Sequence, residues 1–429
     1  MTAVVGILNK QAVAIAADSA VTIGGTIGHK IFNKANKVFT VSKQHPVGIM
    51  IYNAASFMST PWETIIKVYR KQLSNKYFST VKEYQEDFIG FLRLKNYYTD
   101  SEMQFAYLEN FILNIINSVV NDIAERNKGI IEAPTKENQD KFLKLFEEQI
   151  DHLISSWNQK SNSCSDFEEY TFEMFEKYST HIFERINQLR FTGNGITLSL
   201  DFFQKIKQAV YAILRSKEEL TSYTGLIFTG FGEDEIYPQL IPVNISMVID
   251  NKLRYYINEN QSATISNSNS GAVCPFAQTD VINTILTGID PYLDNIYLKN
   301  FDALFKKYNR DILDSIGNTN PLLSEQIKNL DTNIVLNEFN NLNQQIKREN
   351  YIIPLMNAVS NLAKDDLAEM AESLIYLTYL KRRITFAEES VGGPVDVAVI
   401  SKGDGFVWIK RKHYFRPELN QHFFDNYFK

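Results

Sequence analysis

After Met1 the chain reads Thr2-Ala3-Val4-Val5-Gly6-Ile7-Leu8, turns through Asn9-Lys10-Gln11, and returns as Ala12-Val13-Ala14-Ile15-Ala16-Ala17 into Asp18-Ser19. Two short apolar runs joined by a polar turn predict a β-hairpin. A threonine stands at one end of it and a carboxylate at the other. Further on, Lys37 heads a third apolar run, Val38-Phe39-Thr40-Val41. A small residue after Met1 favours removal of that methionine, which would leave Thr2 with a free α-amine beside its own hydroxyl. Such an amine has an unperturbed pKa near ~8 and can act as the base that activates the hydroxyl, with no histidine needed. Asp18 and Lys37 supply opposite charges that a buried site would hold against each other.

Composition bounds the alternatives. The 429 residues are 44% hydrophobic, enough for a sizeable core, and the formal net charge is −6 with both signs interspersed. Nucleic acid and anionic membranes are therefore not expected as partners. Two cysteines, Cys164 and Cys274, are too few for a disulfide framework or a structural zinc site, and no His-x-x-x-His pair occurs among the six histidines. No metal or cofactor is expected. No uncharged apolar run approaches the ~20 residues needed to cross a bilayer. Lys10 and Asp18 interrupt the first apolar stretch, which does not read as a secretory signal. A soluble, cytoplasmic protein is the expectation. Gly230-Phe231-Gly232 lacks the remaining residues of a phosphate loop, and Lys410-Arg411-Lys412-His413 reads as an edge or surface feature of a strand.

Strand character dominates residues 3–52, with runs at Ala3–Leu8, Ala12–Ala17, Lys37–Ser42 and Val47–Tyr52. Pro61 reads as the first helical position of a helix through Trp62-Glu63. Helical periodicity then continues to about residue 217, with stripes over Glu102–Arg126, Phe142–Trp157 and Phe167–Leu189. Strands return at Gly225–Phe231, Ile245–Ile249 and Leu253–Ile257, the last two flanking the hairpin pair Asp250-Asn251. Residues 278–385 are again helical, and Pro394–Ser401 and Gly405–Arg411 close the chain as a hairpin.

The ordered set Thr2–Gly6, Ala17-Asp18-Ser19 and Lys37-Val38 resembles the opening of a proteasome β-subunit and its bacterial relatives, the N-terminal-nucleophile (Ntn) hydrolases. Gly48–Ala55 followed by Trp62-Glu63 resembles that family's strand, Gly-Gly-Ala-Ala turn and first helix, with Tyr52 and Asn53 standing where two glycines are usual. The lysine is displaced by about three residues, so Lys34 competes with Lys37; Lys37 is preferred because it directly precedes the apolar strand. Near the C-terminus, the amphipathic helix from Lys364 and the segment Phe386–Val395 resemble the family's helix and its Asp-x-x-Ser-Gly-Gly turn. There Glu388 falls at the aspartate and Val391 at the serine, with Ser390 one place away; Ser270-Gly271 is the candidate for an earlier Ser-Gly pair.

The resemblance implies an α+β fold, a four-layer αββα sandwich with large helical insertions. It divides the chain into core segments at 2–72, 223–290 and 364–429, with helical insertions at 73–222 and 291–363. It also implies a hydrolase in which Thr2 is the nucleophile and Asp18 and Lys37 its charge partners, while Ser270, Glu388 and Ser390 orient the amine. Main-chain N–H groups near Tyr52 and Asn53 would stabilise the oxyanion, at ~3 kcal/mol per donor in other hydrolases. The substrate would be a peptide or another amide. A homo-oligomer, or a partner protein bound through the insertions, is compatible with this pattern, as is a non-catalytic assembly subunit.

Overall fold

The computed structural model describes residues 2–422, apart from 26–27, 33, 43, 95–99, 128–134, 159–162, 218–219, 221, 317–319, most of 321–331, and 386–391. Its strands in chain order are β1 (Ala3–Asn9), β2 (Val13–Ala17), the ribbon β3 (Val21–Gly25) and β4 (Gly28–Phe32), then β5 (Val38–Thr40) and β6 (Val47–Asn53). After a long helical stretch come β7 (Thr224–Gly230), β8 (Gln239–Ile249), β9 (Lys252–Ile257) and β10 (Gly271–Ala277), and after a second one β11 (Asp396–Ser401) and β12 (Gly405–Lys410).

Apart from the separate β3–β4 ribbon, these strands form two antiparallel sheets. Sheet I runs β10-β1-β2-β11-β12, and sheet II runs β9-β8-β7-β6-β5. The period-2 alternation of β1 decides how they stack. Val4 and Leu8 point toward sheet II, where they meet Met50, Tyr52, Ile227 and Leu240. Ala3, Val5 and Ile7 point the other way, onto the C-terminal helix α11 (Lys364–Ile384), with its Leu367, Ala371, Leu374 and Ile375. Both faces are covered, which is why β1 and β2 read as continuous apolar runs. Gly6 lies on the inter-sheet face, where a Cβ would sit 2.6 Å from Leu240 Cδ1; the missing side chain is what lets the sheets close there.

The outer face of sheet II is covered by α1 (Trp62–Leu73), α2 (Val81–Leu94) and α3 (Ser101–Arg126). Their Trp62, Ile65, Tyr69, Phe88, Leu108 and Ile112 join Ile49, Phe228 and Val243 in one apolar cluster. The order helix, sheet, sheet, helix is the four-layer α+β arrangement expected. Three further helices, α4 (Lys136–Asn158), α5 (Phe172–Ile186) and α6 (Leu200–Arg215), extend the same cluster outward. Arg254 of β9 ties this block to the sheet: its buried guanidinium donates to the carbonyls of Leu214 (2.7 Å) and Ser216 (2.6 Å) at the end of α6. A cation there satisfies carbonyls that the helix leaves open. The second helical stretch contains α7 (Asp280–Thr287), α8 (Pro291–Ile316), α9 (Thr332–Lys347) and α10 (Ile353–Asn361).

Two local readings are corrected. Pro61 stands at the N-cap of α1 with φ −59°, one place before the first helical residue. The helix expected from Phe167 starts at Phe172, because the Thr171 side chain accepts the Met174 N–H and caps it. Asp250 and Asn251 both have positive φ (50° and 58°), as a tight hairpin turn requires.

Candidate active site

The site is built at one end of the two sheets, where β1 begins, β2 ends and β5 begins. Asp18, the first residue past β2, is 1% exposed. Its N–H donates to Ala3 O (3.1 Å), and its Oδ1 accepts the Ala3 N–H (2.9 Å), so it grips the residue next to Thr2 from both sides. The same Oδ1 accepts Lys37 Nζ at 2.7 Å. Oδ2 accepts the N–H groups of Ala20 and Gly392, each at 3.1 Å. Four donors on one buried carboxylate satisfy it fully.

Lys37 is also buried, at 3% exposure, and its ammonium makes a second bond to Ala20 O at 2.5 Å. Burial lowers its pKa below the ordinary 10.5, against the opposing pull of Asp18. Thr2 is 3% exposed, and its carbonyl accepts the Gln278 N–H (3.1 Å) just past β10. The Lys37 ammonium and the Thr2–Ala3 peptide therefore meet at one carboxylate oxygen. Lys34 is exposed and lines a separate cavity of about 160 Å³ with Asn36, Glu63, Lys67 and Pro394.

The C-terminal turn reaches this cluster through described residues. The Ser19 N–H donates to Gly392 O (3.1 Å), and the Ser19 hydroxyl donates to Pro394 O. Glu388 and Ser390 lie outside the described residues.

Ser270 is not part of the site. The register pairs Ala3 with Ala277 and Asn9 with Gly271. Ser270 thus sits at the opposite end of β1, roughly 20 Å from Thr2 at the usual strand rise. Residues Ala277 and Gln278 occupy the place assigned to it.

Tyr52 and Asn53 behave differently from one another. The Ala54 N–H donates across to Tyr223 O, and Tyr52 pairs with Gly225. Antiparallel bonds alternate along a strand, so the Tyr52 amide is committed to β7 and is no oxyanion donor. The Ile51 N–H donates instead to Lys37 O (2.9 Å) on the β5 side. The same alternation turns the Asn53 N–H to that side, just past the end of β5 beside Lys37. Asn53 has φ +69°, a conformation that favours glycine and that asparagine tolerates.

The Tyr52 ring packs between the two sheets, with Val4, Met50 and Phe276. It lies across Gly225, where a Cβ would be 1.9 Å from the ring, and its hydroxyl donates to Asn244 Oδ1 (3.1 Å).

Sequence reasoning missed Asp396 and Lys412. Asp396 opens β11 opposite Ala17 and is 2% exposed; its Oδ1 accepts the Lys412 N–H (2.9 Å) and its Oδ2 the Lys412 ammonium. The available signal was a carboxylate heading an otherwise apolar strand. Cys274 has its thiol pushed up to about 12 by burial, which leaves it a poor nucleophile. Among the described residues no group of His, Cys, Asp and Glu could hold a metal ion, and no helix is long and apolar enough to cross a membrane.

No protein-family model matches the chain, and no curated protein matches it. Among solved structures, it aligns with an Anbu (Gly-1) mutant from Hyphomicrobium sp. strain MC1 at 9% identity, covering 99% of this chain and 94% of that one, with a TM-score of 0.27. That alignment is too loose to assign a function.

Proposed function

We propose that this chain is a threonine-type N-terminal-nucleophile hydrolase that opens peptide or other amide bonds with Thr2 after removal of Met1. One observation carries the reading: a buried Asp18–Lys37 pair whose carboxylate also binds the residue following Thr2. In this reading the Thr2 amine accepts the proton of its own hydroxyl as Oγ attacks the carbonyl carbon. The Lys37 ammonium lowers the proton affinity of both groups, and Asp18 holds that ammonium in place. The Asn53 N–H donates to the oxyanion. Collapse of the tetrahedral intermediate expels the amine, which takes the proton back from the Thr2 ammonium, and water then releases the acyl group. The segments 73–222 and 291–363 serve as insertions on this core.

The test joins intact mass with labelling by a threonine-directed electrophile. The expected result is loss of Met1 and one adduct on Thr2, absent in Thr2→Ala. Full retention of Met1, or labelling that survives in Thr2→Ala, would end this reading.

A second reading, a non-catalytic assembly subunit, is favoured by α8 and α9. No side chain of α8 is buried, although Phe301 stacks on Phe339 of α9 at 4.0 Å. Leu304, Tyr308, Leu342 and Ile346 remain exposed on the pair. In this reading the pair is an assembly surface, for which Leu304→Asp with Leu342→Asp should lower the sedimentation coefficient. An unchanged coefficient would remove the pair from any assembly role.

A further inference from the structure

We infer that Lys412 and Asp396 form a positioning pair that sets the charge state of Lys37, building on the reading of Lys37 as the site lysine. The placement is specific. Asp396 is registered against Ala17, the residue before Asp18, so the two carboxylates emerge from adjacent strands of sheet I at the same end. Each holds a lysine, and all four charged groups are nearly shut off from water, at 4% and 1% side-chain exposure for one pair and 9% and 3% for the other.

A lone buried Lys–Asp pair is seldom worth its desolvation, so a second one alongside the first calls for a reason beyond stability. Lys412 binds Asp396 through both its main chain and its side chain, which fixes its ammonium at the exit of β12. A second ammonium on the same side of the site favours loss of a proton from Lys37, whereas Asp396 pulls the other way. The pair borders Lys37 on this side: Lys412 lines one cavity with Asn36, and Asp396 lines another with Asn36 and Val38, the residues flanking Lys37. Lys412 lowers the Lys37 pKa and Asp396 raises it.

Other charged groups border the same region. Arg411 stacks over Trp408 at 4.8 Å, and His413 is held below its ordinary pKa by burial and then by Arg411. Lys34, Glu63 and Lys67 line one cavity together with Arg411, Lys412 and His413, and Arg70 lines the neighbouring one with Asp396; Glu63 and Lys67 are paired at 2.5 Å. Thr2, whose neighbour Ala3 shares Asp18 Oδ1 with Lys37, would add a further titrating amine once Met1 is removed.

The experiment is an NMR titration of the Lys37 ε-carbon in protein carrying ¹³C-labelled lysine, assigned with Lys37→Arg. It needs no activity, so it stands apart from the fate of Thr2. Lys412→Met should raise the Lys37 midpoint, and Asp396→Asn should lower it, each by roughly one pH unit. Lys412→Arg, which keeps the charge, should leave the midpoint near that of the wild type. The opposite signs are decisive. A pair that only braces the fold would, when weakened by either change, admit water and raise the midpoint in both. An Asp396→Asn midpoint that rises or stays put overturns the inference, even if Lys412→Met fails to fold. If Thr2 also takes the electrophile, the alkaline limb of its labelling rate should follow the same shifts. Absence of labelling would count against the hydrolase reading and leave the NMR result intact.

Discussion

A buried ammonium costs several kcal/mol unless it is paired, and Lys37 spends its pairing on the carboxylate that holds Ala3. Lys37→Met would leave Asp18 with the N–H groups of Ala3, Ala20 and Gly392, enough donors to keep a carboxylate in place. The fold should survive while the charge beside Thr2 changes from a balanced pair to a bare anion. Labelling of Thr2 should then fall on the order of 10²-fold, read as the rate of adduct formation by mass spectrometry. The pH profile follows from the same groups. Only the neutral Thr2 amine accepts a proton, so the rate should climb through an ordinary amine pKa near ~8. Lys37, its pKa lowered by burial, loses its charge below the usual 10.5, so the rate should fall again on the alkaline side. Lys37→Arg keeps its charge throughout, and the falling limb should disappear. A limb unmoved by that change would take Lys37 out of the chemistry. Asp18 and Lys37 were legible in the sequence because each adjoins an apolar run, where an unpaired charge would be costly. Ser270 was misplaced because a Ser-Gly turn carries no information about register. Lys412 was passed over because a basic run looks solvent-facing until its buried partner Asp396 is known.

Among elements, strands and tight turns were the most readable, since their signals are local: alternation in β1, a turn pair between β8 and β9. Helix starts were less so, because the caps at Pro61 and Thr171 decide them and periodicity runs past a cap unchanged. The row Tyr52, Gly225, Asn244, Tyr256 across sheet II could not be read at all. It joins four separate strands, and the position of each depends on register. Its geometry makes a prediction. The Tyr52 ring is 4% exposed, passes over Gly225 and donates to Asn244, whose Nδ2 donates in turn to the Tyr256 hydroxyl at 2.9 Å. Gly225→Ala would drive a methyl into that ring, which Phe276 and Tyr223 box in at 5.4 Å and 6.2 Å between centroids. Overpacking of this kind costs about 1–3 kcal/mol, measurable as a lower urea midpoint. The same change in Tyr52→Ala protein should be close to neutral, since the obstruction is gone. Equal cost in both backgrounds would mean that Gly225 is needed for another reason.

At the scale of the molecule, each sheet is assembled from distant parts of the chain. β1 takes one neighbour from the hairpin and the other from β10, with Asn9 facing Gly271; β2 takes β11, with Val13 facing Ile400. In sheet II, β6 pairs with β7 across the whole first helical stretch. Contacts of such long range make folding slow, because the loops must close before the pairing repays their entropy. They also make the parts interdependent. A fragment spanning residues 2–222 would keep β1, β2, β5 and β6 but only as two isolated hairpins, and an isolated two-stranded hairpin is marginal in water. Helices α2 and α3 would lose Phe228, Val243 and Ile245, against which their apolar faces pack. The fragment should therefore show helical circular dichroism while the amides of Ile7, Ile15 and Ile49 exchange within seconds to minutes. In the whole chain those three amides should be slow and should open together, because one folding event protects them. Slow exchange at all three in the fragment would show that the N-terminal half is a domain in its own right, and that the αββα core does not depend on its middle and C-terminal strands.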